Sequence, residues 1–206
     1  MLISVAPVLA DQTSLLVGTW AIDVAKLAVP DAPKSVVIAL AYGGGGKYSM
    51  IVNIVDHDGS QRYGLSTFKP DGSPFPAYGN VDYDVVSMTM PSRKVLVLGG
   101  AFKGHPANSR VFSLADDGKH MIETVVWHTP DGTPHTRVDF WTRSNSSQHM
   151  HGTITFRVPQ DRARNPQKEV EESKRICEAQ GREFTLLKPP PDWSFSCELP
   201  KRPPAQ

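Results

Sequence analysis

The 206-residue chain has little of what marks several large protein classes. No segment beyond its N-terminus approaches the roughly 20 apolar residues that a transmembrane helix needs. Charge of one sign is also missing: 22 Lys and Arg stand against 21 Asp and Glu, and the basic residues are spread along the chain. That balance gives no electrostatic footprint for nucleic acid or an anionic membrane, so neither is expected as a partner. Only two cysteines occur, Cys177 and Cys197, without a Cys-x-x-Cys spacing, which argues against redox catalysis and zinc ribbons. A Gly-x-Ser-x-Gly elbow, a phosphate loop and a dinucleotide fingerprint are all absent, and no cofactor is expected. The Gly43 to Gly46 run is followed by Lys47 but then by Tyr48 instead of Ser or Thr, with no helix pattern after it, and reads as a turn. Helical periodicity of useful length is missing between Val17 and Arg143, which disfavours a parallel α/β fold.

What is present is ordinary globular composition, 39% hydrophobic and 21% charged, long enough for one good-sized domain with an appendage. From Val17 to Arg143 short alternating segments are punctuated by turns. Val36, Ile38, Leu40 and Tyr42 share one face; Tyr48, Met50, Val52 and Ile54 share a face of the next strand. Asp58-Gly59, Asp71-Gly72, Asp117-Gly118 and Asp131-Gly132 supply turn signals at spacings typical of an all-β barrel or sandwich. The remaining strands are expected over 61–68, 84–90, 95–102, 109–114, 120–129 and 135–143.

The N-terminal stretch Leu2 to Ala10 is apolar and ends on small residues before Asp11-Gln12, as an export signal does. It lacks a preceding basic residue, so a flexible apolar terminus or a first strand is the alternative. Four units are therefore expected: 1–14 as a signal remnant, 15–143 as the barrel, 144–151 as a polar linker, and 152–206 as a small α+β unit with a Pro-rich tail. In that last unit, a strand over 152–158, a helix over 166–180 capped by Gly181, and a hairpin across Pro189-Pro190-Pro191 are expected. Val170, Ser173, Ile176 and Cys177 would share one helix face, with Cys177 opposite Cys197. A disulfide between them would contribute roughly 3 kcal/mol in the chain-entropy picture and suits a unit too small for much core. Two reduced thiols in a cytosolic protein are the alternative.

Gly18-Thr19-Trp20-Ala21 at the start and Phe140-Trp141-Thr142-Arg143 at the end resemble the opening and closing strands of lipocalin and fatty-acid-binding barrels. Phe75-Pro76-Ala77-Tyr78-Gly79-Asn80 before Asp84-Val85-Val86-Ser87, and the turn Ala115-Asp116-Asp117-Gly118-Lys119, sharpen that likeness. Together they resemble a group of small exported bacterial lipocalin-like (calycin-type) proteins of no established reaction, over about residues 16–143. The resemblance implies an antiparallel up-and-down barrel, with Arg143 lying on the Trp20 ring, and a periplasmic or secreted location. The unit beyond Ser144 falls outside it.

The leading functional expectation is a non-enzymatic binding protein whose barrel holds a small apolar or amphipathic ligand. Tyr48, Met50, Val52, Met88 and Met90 are the expected lining, methionine being adaptable to varied ligand shapes. Filling of a dry core is the alternative for them. An enzyme carrying out an isomerase, cyclase or hydrolytic step on an apolar substrate in the cavity would draw on a histidine or on Glu123, a lone carboxyl among Met121, Val125 and Trp127 if that face points inward. Ile122, Thr124 and Val126 make the opposite face equally apolar, and alternation cannot choose between them. A third possibility is an interaction module acting through residues 152–206. Arg137 stands where fatty-acid-binding barrels carry a carboxylate clamp, but Asp139 replaces the expected Tyr, so a surface salt bridge is the better reading. Arg62 and Arg110 must be paired if they point inward, because an isolated buried charge is prohibitively costly. His149-x-His151, and His128 with His135, give no third ligand by spacing, so no metal is expected.

Overall fold

The computed structural model describes residues 13–79, 81–129, 131–144, 155–157, 166–179, 183–189 and 194–198. Eleven strands come first: β1 (Gly18–Ile22), β2 (Ser35–Gly44), β3 (Lys47–Val55), β4 (Gln61–Phe68), β5 (Asp71–Pro76), β6 (Tyr78–Gly79), β7 (Val85–Ser92), β8 (Val95–Phe102), β9 (His105–Leu114), β10 (His120–His128) and β11 (Pro134–Arg143). They form one antiparallel sheet in the order β5-β7-β8-β9-β10-β11-β1-β2-β3-β4-β6. β1 joins the two halves by pairing with both β11 and β2. The edges then meet through one continuous segment. Phe75 and Pro76 pair with Val86 and Val85 of β7, whereas Tyr78 and Gly79 pair with Leu65 and Gly64 of β4. Ser66 Oγ also donates to the Pro76 carbonyl at 3.1 Å. The result is the expected all-β barrel, nearly closed. Asp71-Gly72, expected as a turn, instead begins β5, because its backbone is captured by the β7 ladder at Thr89.

Alternation sends one residue in two to the interior. Trp20, Leu40, Met50, Met88, Leu98, Phe112 and Trp141 belong to a single buried cluster drawn from seven strands. Each large apolar side chain so buried contributes roughly 1.5–3 kcal/mol. Trp20 and Arg143 are cross-strand partners, with the guanidinium carbon 4.2 Å from the centroid of the indole. The same guanidinium donates to the carbonyls of Gly118, Val17 and Leu15 at 2.7–2.8 Å, so it ties the β9–β10 turn and the segment leading into β1 over the ring. Gly18 permits this. Its φ is +137°, and a Cβ there would run into Arg143 Nη1.

The C-terminal unit contains β12 (Thr155–Arg157), helix α1 (Pro166–Ala179), β13 (Glu183–Lys188) and β14 (Ser194–Glu198), with the strands in the order β12-β14-β13. Val170, Ser173, Ile176 and Cys177 form the buried helix face, as their spacing predicts. Cys177 and Cys197 are bonded, with Cα atoms 5.8 Å apart. The unit packs on the outside of the barrel. Ala39, Ile51, Tyr63 and Leu65 of β2–β4 share a second buried cluster with Val170, Ile176 and Phe195. The Tyr63 and Phe195 rings meet edge to face at 6.0 Å. No helix among the described residues is long and apolar enough to cross a membrane. The apolar N-terminal stretch, His149, His151, Gly181 and most of the expected linker lie outside the described residues.

Candidate functional site

The two ends of the barrel differ. Around Trp20, the side chains of Leu16, Leu40, Leu96 and Met121 leave only about 10 Å³ of free space. At the opposite end a cavity of about 340 Å³ opens. One wall is apolar, formed by Ile22, Val36, Ile38, Met50, Val52 and Ile54 of β1–β3. Leu27, Val29 and Pro33 from the β1–β2 connection fold over the same side. The facing wall is ionic, because β9, β10 and β11 each turn charged residues inward there. Arg110, Glu123, Arg137 and Asp139 all line it.

Every inward arginine has a carboxylate. Arg110 Nη1 donates to Glu123 Oε1 at 2.7 Å, and the indole N–H of Trp141 donates to Glu123 Oε2 at 2.9 Å. Arg137 makes a bidentate contact with Asp139, at 2.7 and 2.9 Å. Arg62 does the same with Asp56, at 2.7 and 2.8 Å, and lies 3.5 Å from Asp82. Burial pushes the Glu123 carboxyl up, opposed by the charge and hydrogen bond of Arg110. Burial works against the charge of Arg110 too, but the charge and hydrogen bond of Glu123 together with the nearby Tyr83 and Asp139 outweigh it, and the guanidinium is held above its ordinary range. The hydrogen bond from Arg62 lowers Asp56.

Two expectations need correction. Glu123 does point inward, but it is not a lone carboxyl: both its oxygens are occupied by donors. The Arg137–Asp139 pair exists, yet it is not a surface bridge, since Asp139 is 1% exposed. An i, i+2 spacing on a strand puts both residues on one face, and here that face is the inner one.

The loop between β6 and β7 supplies the remaining wall, Val81 and Tyr83. Both enter over glycines. A Cβ on Gly64 would lie 2.9 Å from Val81 Cγ2, and one on Gly100 would lie 3.1 Å from the Tyr83 ring. Isolated glycines inside strands mark such close approaches, and that signal could have located the loop. Burial raises the Tyr83 phenol above its usual range.

Of the expected lining residues, Met50 and Val52 face this cavity. Tyr48 lies in the filled end, accepting a hydrogen bond from the Ser14 N–H at 3.1 Å and stacking on Phe68. Met88 is buried in the core, and Met90 packs against it; neither lines the cavity. His135 stacks on Trp127 at 5.3 Å. Among the described residues no three His, Cys, Asp or Glu converge as metal ligands. No protein-family model matches the chain, and no curated protein matches it in sequence.

Proposed function

We propose that the chain binds a small, predominantly apolar molecule in the open end of its barrel, as lipocalin-like proteins do. The observation that carries this reading is the 340 Å³ cavity with an apolar wall of six aliphatic side chains and a facing wall of neutralised ion pairs. That volume is at the lower end of small-molecule sites. Burial of the ligand body against Val36, Met50 and Val52 would drive binding, at roughly 25 cal/mol per Å² of apolar area removed from water. An acid–base role for Glu123 is not favoured, because Arg110 and Trp141 already engage both oxygens. The Cys177–Cys197 disulfide supports a periplasmic or secreted setting, where such bonds persist.

The test is titration with an environment-sensitive apolar dye. Binding saturates near one per chain, and Val52→Trp, which fills the cavity from β3, abolishes it in a protein with unchanged far-UV circular dichroism. Dye binding untouched by Val52→Trp would remove the cavity as the site. A second reading, in place of the interaction module expected on residues 152–206, is an interaction surface on the outer face of β9–β11. There Val111, Ile122, Val126, Val138 and Phe140 are 37–45% exposed.

A further inference from the structure

We infer that the polar end of the ligand is a neutral hydrogen-bond acceptor, such as a ketone, ester or amide carbonyl, held by Tyr83 and Arg110. This rests on the cavity being the binding site. The inference comes from asking which hydrogen-bonding capacity in the cavity is already used. On Glu123, Arg110 and Trp141 take both oxygens; on Asp139 and Asp56, the bidentate arginines do. Each of these carboxylate oxygens thus already receives a charged or indole N–H donor. Donors remain. Arg110 uses Nη1 on Glu123 and Nε on Asn108 Oδ1 at 3.2 Å, which leaves Nη2 without a partner among the described residues. The Arg110 side chain is 26% exposed and lines the cavity. The Tyr83 hydroxyl likewise has no hydrogen bond among the described residues and lines the same cavity.

Charge then selects among acceptors. The lining carries three arginines (Arg62, Arg110, Arg137) against five carboxylates (Asp31, Asp56, Asp82, Glu123, Asp139), so the formal balance is negative. A ligand carboxylate reaching Arg110 would meet Glu123 on the same guanidinium, and like charges in a shielded site repel strongly. A ligand ammonium would have to approach buried carboxylates whose charges are already met by Arg110 and Arg137, and would be repelled by those guanidiniums. Only the rim residues Asp31 and Asp82, both exposed, could meet it. A neutral carbonyl avoids both penalties and can accept from Arg110 Nη2–H and the Tyr83 hydroxyl.

Four probes of similar chain length separate the possibilities: methyl nonyl ketone, decanoate, decylamine and decane, each competing with the bound dye at neutral pH. The ketone is expected to bind about tenfold more tightly than decanoate or decylamine. Tyr83→Phe, which keeps the ring over Gly100, is expected to weaken the ketone about three- to tenfold and leave decane unchanged. Decanoate or decylamine binding as tightly as the ketone overturns the inference while leaving cavity binding intact. A ketone affinity unmoved by Tyr83→Phe also overturns it. If neither the dye nor any of the four binds, the cavity is not a binding site and both readings fall.

Discussion

Glu123→Gln isolates one charge at the centre of the barrel with almost no change in shape. In the native protein two donors, Arg110 Nη1–H and the Trp141 indole N–H, each meet one carboxylate oxygen. A carboxamide has a single acceptor oxygen, so its NH₂ must face one of those donors. The substitution therefore leaves a guanidinium without its counter-charge and one buried donor without an acceptor. Removing one member of a buried ion pair costs about 3–5 kcal/mol. Arg110 retains 26% exposure, so partial rehydration brings the expectation to about 2–4 kcal/mol. For a chain of this size, about 3 kcal/mol corresponds to a fall in Tm of about 6–12 °C. Urea unfolding followed by tryptophan fluorescence reads the loss. The double variant Glu123→Leu with Arg110→Met should recover to within about 1–2 kcal/mol of the native protein, since an apolar pair can replace a buried ionic one. Single losses below about 0.5 kcal/mol, or a double variant whose loss equals the sum of the singles, would refute the pairing as a source of stability.

Trp20→Ala should destabilise by about 3–5 kcal/mol, because the indole fills the closed end and supports the Arg143 clamp; equilibrium unfolding checks it. Alkylation without reductant, followed by intact-mass measurement, should find no accessible thiol. Cys197→Ser should cost about 3 kcal/mol in the C-terminal unit and make α1 the first site of limited proteolysis. Gly100→Val should expel the Tyr83 ring from the cavity and shift its NMR resonances, with the barrel otherwise intact. Hydrogen bonds from His120 and Thr129 respectively lower Asp117 and Asp131 to about 2. Both are depressed below the ordinary value, so the stability they lend their hairpin turns is present above about pH 4 and fades as the pH falls toward 2. Carboxyl-carbon NMR titration should give midpoints near pH 2 for both, and midpoints near 4 would contradict these contacts.

Much of the barrel is legible in the chain because turn chemistry and period-two alternation reinforce each other. The helix face ending in Cys177 follows from residue spacing, whereas the Trp20–Arg143 contact is legible only through the resemblance of the first and last strands to lipocalin-type barrels. The cavity is less legible. β10 is apolar on both faces, Met121 and Val125 inside, Ile122 and Val126 outside, so the side on which Glu123 falls is decided by register with Arg110 on β9 and Asp139 on β11. Burial of Asp139 is likewise a property of three strands together. Tyr83 belongs to a loop, where no periodicity exists to read, and only the glycines facing it carry a trace. Tyr48 and Met88 point inward as their alternation requires, yet distance along the barrel axis, not face, separates the filled end from the open one.

The contact between Arg143 and the Val17 carbonyl spans 126 positions of sequence. β1 finds its second neighbour only when the last barrel strand exists, so during synthesis the opening segment must wait. At ordinary rates of about 5–20 residues per second, that interval lasts of the order of ten seconds. Until then one edge of β1 lacks its partner strand and the Trp20 ring lacks its Arg143 cover, which leaves the nascent chain with an adhesive edge.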